Sequence, residues 1–281
     1  MTRYKGLVTT VVVYGLLALV IGTALLPIYW MVNTALKSKG EILSSPPHWI
    51  PAKPTLDNFR EVIAGEGMSQ GGLKYASNSL VVATASTLIS LALGSLAAYG
   101  LARWKSKWSE RTSMWILSTR MFPPAATVIP VYLMFAKLHL IDKHIGLIIA
   151  YVAYNLPFVT WMMRGFFAAI PAELEESARV EGCSNLGAFW RVSLPLVRPG
   201  LAVAGLFAFV FAWNEFLFAL VLTRIDSATI PLQMASYQGV KGLIWGSMMA
   251  AAIIASLPGI ILAFIAQKHL VRGLTLGAVK G

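Results

Sequence analysis

The chain has 281 residues, of which 57% are hydrophobic and only 12% charged, with a mean hydropathy of +0.68. A water-soluble domain carries about 25% charged residues, so this balance excludes an ordinary soluble enzyme and places the chain among integral membrane proteins. The net charge of +11 sits on Lys and Arg scattered at the ends of apolar runs, which fits orientation signals and anionic lipid rather than nucleic acid; the single cysteine, Cys183, excludes an internal disulfide or a cysteine-based metal site.

Six apolar segments reach the roughly 20 residues that a membrane-spanning helix needs. The first, 7–32, follows Arg3 and Lys5. It is longer than a signal-peptide core of about 7–15 residues and lacks a small-x-small cleavage site, so it reads as a retained span. Residues 33–75 then form a long polar excursion with Pro46-Pro47, Pro51, Pro54 and a run from Gly65 to Gly72, expected to be partly ordered. The second span, 76–102, is rich in small residues. Ala83, Ser86, Ser90, Gly94 and Ala98 are expected to face other helices, because small side chains let helices approach closely in lipid.

The third span, 113–137, is read as interrupted at Pro123-Pro124 and again at Pro130. Its Arg120 lies about two turns inside; it is long enough to snorkel to an interface and is assigned no site. The fourth span, 145–169, carries Asn155 and Pro157. The fifth, 200–223, carries Trp213-Asn214-Glu215. The sixth, 246–267, is read as interrupted at Pro258-Gly259. The last loop before it, 224–245, with Tyr237, Gln238 and Trp245, is read either as reaching a soluble partner or as a plain connector.

Polar groups inside spans are costly and mark pathways or helix contacts. A pathway for a polar solute needs hydrogen-bonding groups, with aromatic faces to pack on the solute's apolar parts. Tyr151, Tyr154, Asn155, Trp213, Asn214 and Glu215 are the candidates by type and depth. The competing reading is that the polar members hold helices together.

Between the fourth and fifth spans lies one polar stretch, 171–199, PAELEESARVEGCSNLGAFWRVSLPLVRP. Pro171 suits a first helical position, and Glu173, Glu175 and Glu176 favour the positive helix end. Leu174, Ser177, Ala178 and Glu181 share one face; Gly182 is a natural stop. Ser184 or Asn185 can cap a second short helix with Leu186, Phe189, Trp190 and Ser193 on its face. Pro195 is expected to end it, and Pro199 to open the next span. The result is a helix–turn–helix held outside the bilayer. Basic residues weighed over the short connections place this stretch, together with both chain ends, on the cytoplasmic side: Arg103, Lys105, Lys107, Arg111, Arg164, Arg179, Arg191, Arg198 and Lys268 all fall there.

Glu176, Ala178, Gly182 and Leu194-Pro195 resemble the coupling-loop signature of ATP-binding-cassette importer permeases: Glu-Ala-Ala, a Gly a few residues on, then Leu-Pro. Ser177, Glu181 and Cys183 replace the usual Ala, Asp and Ala. The segment PTLDNFREV, Pro54 to Val62, resembles the sugar-permease pattern between the first two spans, and the tail 267–281, QKHLVRGLTLGAVKG, is similar to the ending of the smaller permease of maltose-type carbohydrate importers. The resemblance implies an all-α polytopic protein of six transmembrane helices forming one permease domain, in a bacterial or archaeal plasma (inner) membrane. It implies a second permease, a pair of identical ATPase subunits that bind ATP and Mg, and an extracytoplasmic sugar-binding protein as partners. It assigns ATPase coupling to Glu176, Ser177, Ala178, Glu181, Gly182, Leu194 and Pro195, and places the tail 268–281 between the ATPase subunits.

No Gly-Lys dipeptide occurs, so the chain carries no Walker A loop; no H-E-x-x-H or G-x-S-x-G occurs either. His48, His139, His144 and His269 are dispersed. The expected role is therefore non-catalytic, with no cofactor in this chain. The rival classes are a secondary transporter, which would show inverted repeats and a charged relay within its spans, and a membrane-embedded enzyme.

Overall fold

In the computed structural model, which describes residues 2–65, 70–104, 106–239 and 242–278, every described element except one hairpin of two two-residue strands is a helix. In chain order these are α1 (Thr2–Ala35), α2 (Lys39–Ile42), α3 (Asp57–Ala64), α4 (Gly72–Arg103), α5 (Trp108–Thr119), α6 (Pro124–Lys137) and α7 (His144–Ala168). Then come α8 (Ala172–Val180), α9 (Asn185–Ala188), a π turn at Phe189–Ser193, α10 (Leu194–Leu196), α11 (Arg198–Trp213), α12 (Leu217–Leu222), α13 (Ile230–Ser236) and α14 (Trp245–Ala278). The hairpin pairs Gln238 with Leu243 just before α14.

Among the described residues, four helices are long and apolar enough to cross a membrane: Thr10–Ala35, Gly72–Arg103, His144–Ala168 and Trp245–Ile265. A fifth candidate joins Asn185–Leu196 to Arg198–Trp213 across a 78° bend. Two expected spans are thus not single helices. The third breaks between Thr119 and Pro124, because the residue before a proline is driven out of the helical region and Pro124 supplies the first position of α6. The fifth breaks at Asn214–Phe216.

Two other expected interruptions do not occur. α6 runs through Pro130, and α14 runs through Pro258. In lipid each unsatisfied backbone group costs several kcal/mol, so losing one proline hydrogen bond is cheaper than opening the helix. α14 also continues beyond the expected span end, to Ala278.

The chain divides into two compact units. One comprises residues 1–72 and 234–256. Its core gathers Ala35, Val62, Tyr237, Ala250 and Ala251. Asn58 of α3 closes the end of α1, its Nδ2 donating to the carbonyls of Ala35 (2.9 Å) and Lys37 (2.7 Å). Glu61 accepts from Lys39 (2.8 Å) and from Ser247 of α14 (2.7 Å). These contacts order much of the excursion that follows α1, while residues 66–69 lie outside the described residues. Tyr237, expected to be displayed, is instead buried in this core.

The other unit comprises residues 73–233 and 257–281. Its core is Ala98 of α4, Val159, Met163 and Phe167 of α7, Ile170, Phe189, Val197, and Ala204 and Ala208 of α11. The expected small-residue stripe of α4 faces inward: Ala83, Ser86, Ser90 and Ala98 are fully buried. A Cβ on Gly94 would lie 2.7 Å from Val159 Cγ1, so only glycine allows α4 and α7 to approach this closely.

Candidate functional site

The stretch 171–199 folds as two short helices joined by a sharp turn. α8 begins one residue after Pro171, with Glu173 and Glu175 in its first turn. It closes in a Schellman motif: Gly182 takes φ +92°, Cys183 N donates to Ala178 O (3.0 Å), and Gly182 N donates to Arg179 O (3.0 Å). Ser184 caps the second helix, its Oγ accepting from Gly187 N at 3.0 Å.

The second helix does not stop at Pro195; it runs on to Leu196, where the 78° bend follows. Pro195 has no N–H to offer Arg191, and the helix accommodates it one turn earlier. Leu194 N donates to Phe189 O, a π turn over Phe189–Ser193. Pro199 then sits in the first turn of α11, as expected.

The coupling candidates lie mostly on the outside of this pair. Glu176, Ser177, Glu181 and Gly182 are exposed, Ala178 is half-buried, and Leu194 and Pro195 are half-buried at the bend. Glu176 meets Arg179, at 3.8 Å on the same helix. Beside them stand exposed apolar side chains, Val180 (89% exposed), Leu186 (60%) and Trp190 (55%). The expected face of the second helix is therefore split. Phe189 and Ser193 point into the protein, whereas Leu186 and Trp190, on the neighbouring stripe, point out.

One member of the acidic cluster behaves differently. Glu175 is the sole buried residue of α8. Its carboxylate accepts from Arg103 Nε (2.9 and 3.0 Å), Arg103 Nη2 (2.5 Å), Tyr99 Oη (2.9 Å) and the Ser193 hydroxyl. Burial pushes its pKa up, but the hydrogen bonds from Arg103, Ser193 and Tyr99 outweigh that and hold it below the usual carboxylate range. Sequence reasoning named Glu176 and missed Glu175, Arg103 and Tyr99; a Glu in a first turn is ordinarily explained by the helix dipole alone.

The pathway candidates do not converge on one wall. Asn155 is fully buried, its Nδ2 donating to Ala208 O (3.0 Å) across the α7–α11 seam. Tyr151 is buried beside it and donates to Glu215 O at 3.3 Å. Trp213 is buried and stacks on Phe209, with centroids 5.5 Å apart. Asn214 and Glu215 form the break between α11 and α12. Asn214 Nδ2 donates back to Val210 O (2.8 Å), and the Glu215 carboxylate accepts from Phe218 N (3.0 Å) and Ala219 N (3.3 Å), capping α12.

Asn214 and Glu215 nevertheless line an open cavity of about 500 Å³ with Pro123, Tyr154 and Phe211. Tyr154 is shared with a second cavity of about 270 Å³ that also meets Arg120, Phe122 and Pro157. Arg120, assigned no site from its sequence position, lies at the break between α5 and α6. Its guanidinium carbon is 4.0 Å from the Phe211 ring centre, 4.6 Å from Tyr154 and 5.0 Å from Phe158. Its Nη1 is buried without a hydrogen-bond partner among the described residues. The depth of this cation in an apolar segment was the available signal. Of the tail signature, 279–281 lie outside the described residues, as do the side chains of 268–278.

Residues 90–276 match the family described as binding-protein-dependent transport system inner membrane component. The chain is 38% identical over 256 residues to the diacetylchitobiose uptake system permease protein DasC of Streptomyces coelicolor, covering 91% of each chain. It is 35% identical over 259 residues to the trehalose/maltose transport system permease protein MalG of Thermococcus litoralis, covering 92% of each. A subunit of a bacterial ABC transporter involved in the import of the acidic polysaccharide alginate shares the fold, with a TM-score of 0.74 at 24% identity over 95% of this chain and 96% of that one. The chain therefore belongs to the inner membrane components of binding-protein-dependent transport systems, the permeases of ATP-binding-cassette transporters.

Proposed function

We propose that the chain forms half of the translocation pathway for a carbohydrate or related polyol, pairing with a second, similar permease. Two copies of a separate ATPase bind ATP and Mg and hydrolyse the nucleotide. An extracytoplasmic binding protein delivers the sugar. The names of the relatives, uptake systems for diacetylchitobiose and for trehalose/maltose, support the substrate class.

In this reading six crossings are made, two of them broken. The third is α5 with α6. The fifth is α11 with α12, 16 and 6 residues, about 33 Å at 1.5 Å per residue against a hydrocarbon core of about 30 Å. Both termini and the 171–199 loop lie on the cytoplasmic side, and the tail reaches the ATPase pair. The observation that carries the reading is the exposed strip of that loop. Small and acidic positions, Glu176, Ser177 and Glu181, lie beside the exposed apolar side chains of Val180, Leu186 and Trp190. Such a strip suits the groove of a soluble subunit. When ATP closes the ATPase pair, a helix held in each groove moves with it, and the cavity between the two permeases opens to the opposite side.

Asn214, Glu215, Tyr154 and Arg120 are the groups best placed to meet a sugar, since they line the cavities; Asn155, Tyr151 and Trp213 support the wall behind them. The test is purification of the chain from its native membrane followed by reconstitution. Recovery of an ATPase and a second permease in fixed ratio, with ATPase activity stimulated by a sugar-loaded binding protein, is the expected result. Ion-driven uptake by the chain alone would overturn the reading.

A further inference from the structure

α8 presents an imbalance. A short surface helix is normally held by an apolar face. Here Leu174 is 47% exposed, Val180 is 89% exposed, and the one side chain that α8 buries is the carboxylate of Glu175. A buried charge costs several kcal/mol in lost hydration and is retained only where good geometry compensates it. This one has it. Arg103 approaches with both Nε and Nη2, Tyr99 donates from one turn earlier on α4, and Ser193 donates from the π turn.

The same arginine does more than balance the charge. Its Nη2 also donates to Ile170 O (3.3 Å), just past the end of α7. The Tyr99 ring packs edge-on against Phe167 of α7 (5.6 Å between centroids) and tilted against Phe189 (5.0 Å). Four elements thus meet at one joint: the C-terminal end of α4, the C-terminal end of α7, α8, and the π turn. A bidentate ion pair fixes both distance and angle.

We infer that Arg103 and Glu175 are positioning residues that make α8 move as one body with the end of α4, so that displacement of the 171–199 loop is delivered to that membrane helix. The inference rests on the proposed docking of an ATPase at this loop. The contacts of both carboxylate and guanidinium are made within this chain, so their role requires no contact with the partner or the sugar. Glu175 faces inward, and the exposed Glu176 beside it is the one free to meet the ATPase.

The test uses the complete reconstituted complex carrying Arg103→Ala, the near-isosteric Glu175→Gln, or the swap of Arg103→Glu with Glu175→Arg. Two quantities are read on complexes of equal composition. One is stimulation of ATPase activity by sugar-loaded binding protein. The other is crosslinking of Cys183 to the ATPase with a bifunctional maleimide reagent. Each single variant should keep the crosslink and lose stimulation and uptake by about 5- to 150-fold, the usual span of a coupling between two sites. The swap should recover part of the loss. Wild-type stimulation in both single variants, with the crosslink intact, overturns the inference and leaves the docking proposal standing. Loss of the crosslink together with stimulation makes the pair merely structural and also overturns it. Absence of the crosslink in the unaltered complex removes the docking proposal and the inference with it.

Discussion

Asn155 and Ala208 join α7 to α11 at a point where neither helix has solvent to turn to. The amide Nδ2 lies 3.0 Å from the carbonyl oxygen, and both residues are fully buried. Asn155→Leu is expected to lower the stability of the purified complex by about 0.6–1.7 kcal/mol, the range for single hydrogen bonds within membrane proteins. The sugar concentration giving half-maximal ATPase stimulation should stay unchanged. Thermal unfolding in detergent and a sugar titration measure the two, and a tenfold shift in the second would make Asn155 a sugar contact.

Gly182 and Glu176 carry the turn and the exposed charge of the loop. Gly182→Ala places a side chain at φ +92° and should cost about 1 kcal/mol locally, with uptake little changed. Gly182→Asp adds a charge at the turn, and Glu176→Lys reverses one on the exposed strip. Both should insert normally yet lose the dependence of ATPase activity on transport. Normal uptake by both would remove the loop from the coupling path.

Arg120 stands among three aromatic faces, its Nη1 unpaired among the described residues. Each such contact contributes about 0.5–2 kcal/mol when desolvated. Arg120→Lys keeps the charge but loses the planar stacking. Uptake is expected to fall severalfold while the amount of inserted complex holds. Equal uptake at all sugar concentrations would show that the cavity it lines is not on the pathway.

Asp142 ties the α6–α7 turn to the segment after α12, accepting from the backbone N–H of Arg224 (2.9 Å), Ile225, Asp226 and Ser227 (3.1 Å each). Burial alone would raise its pKa; these four donors instead lower it from 3.8 to about 2. The folded-state value lies below the unfolded one. The clasp therefore contributes fully above about pH 4 and loses its contribution as pH falls toward 2. Asp142→Asn should cost about 1–2 kcal/mol at pH 7, after allowance for solvent screening, and much less at pH 2. Thermal midpoints of the two proteins at both pH values check this.

What the sequence made legible was local. A glycine in the left-handed region and a serine three residues before an N–H are decided by their neighbours, so the turn at Gly182 could be read directly and the cap narrowed to Ser184 or Asn185. The small-residue face of α4 was legible because its period is that of one helix. Choosing between Glu175 and Glu176 was not possible in this way. Both sit in one turn, and what separates them is Arg103 on another helix. Pro130 and Pro258 misled for the opposite reason: in an apolar helix the surrounding medium, not the proline, decides whether the chain stays helical. Asn214 and Glu215 were visible as polar residues in a span, but their use as the cap of a new helix depends on a break that no periodicity announces.

The most direct measurement of where the 171–199 loop lies uses Cys183, the one cysteine of the chain, beside Gly182. A membrane-impermeant maleimide should label it in inverted membrane vesicles, fail to label it in right-side-out cells, and be blocked when the ATPase is bound. Labelling from the outer face, or labelling of inverted vesicles that bound ATPase leaves untouched, would contradict the assignment of this loop to force transmission.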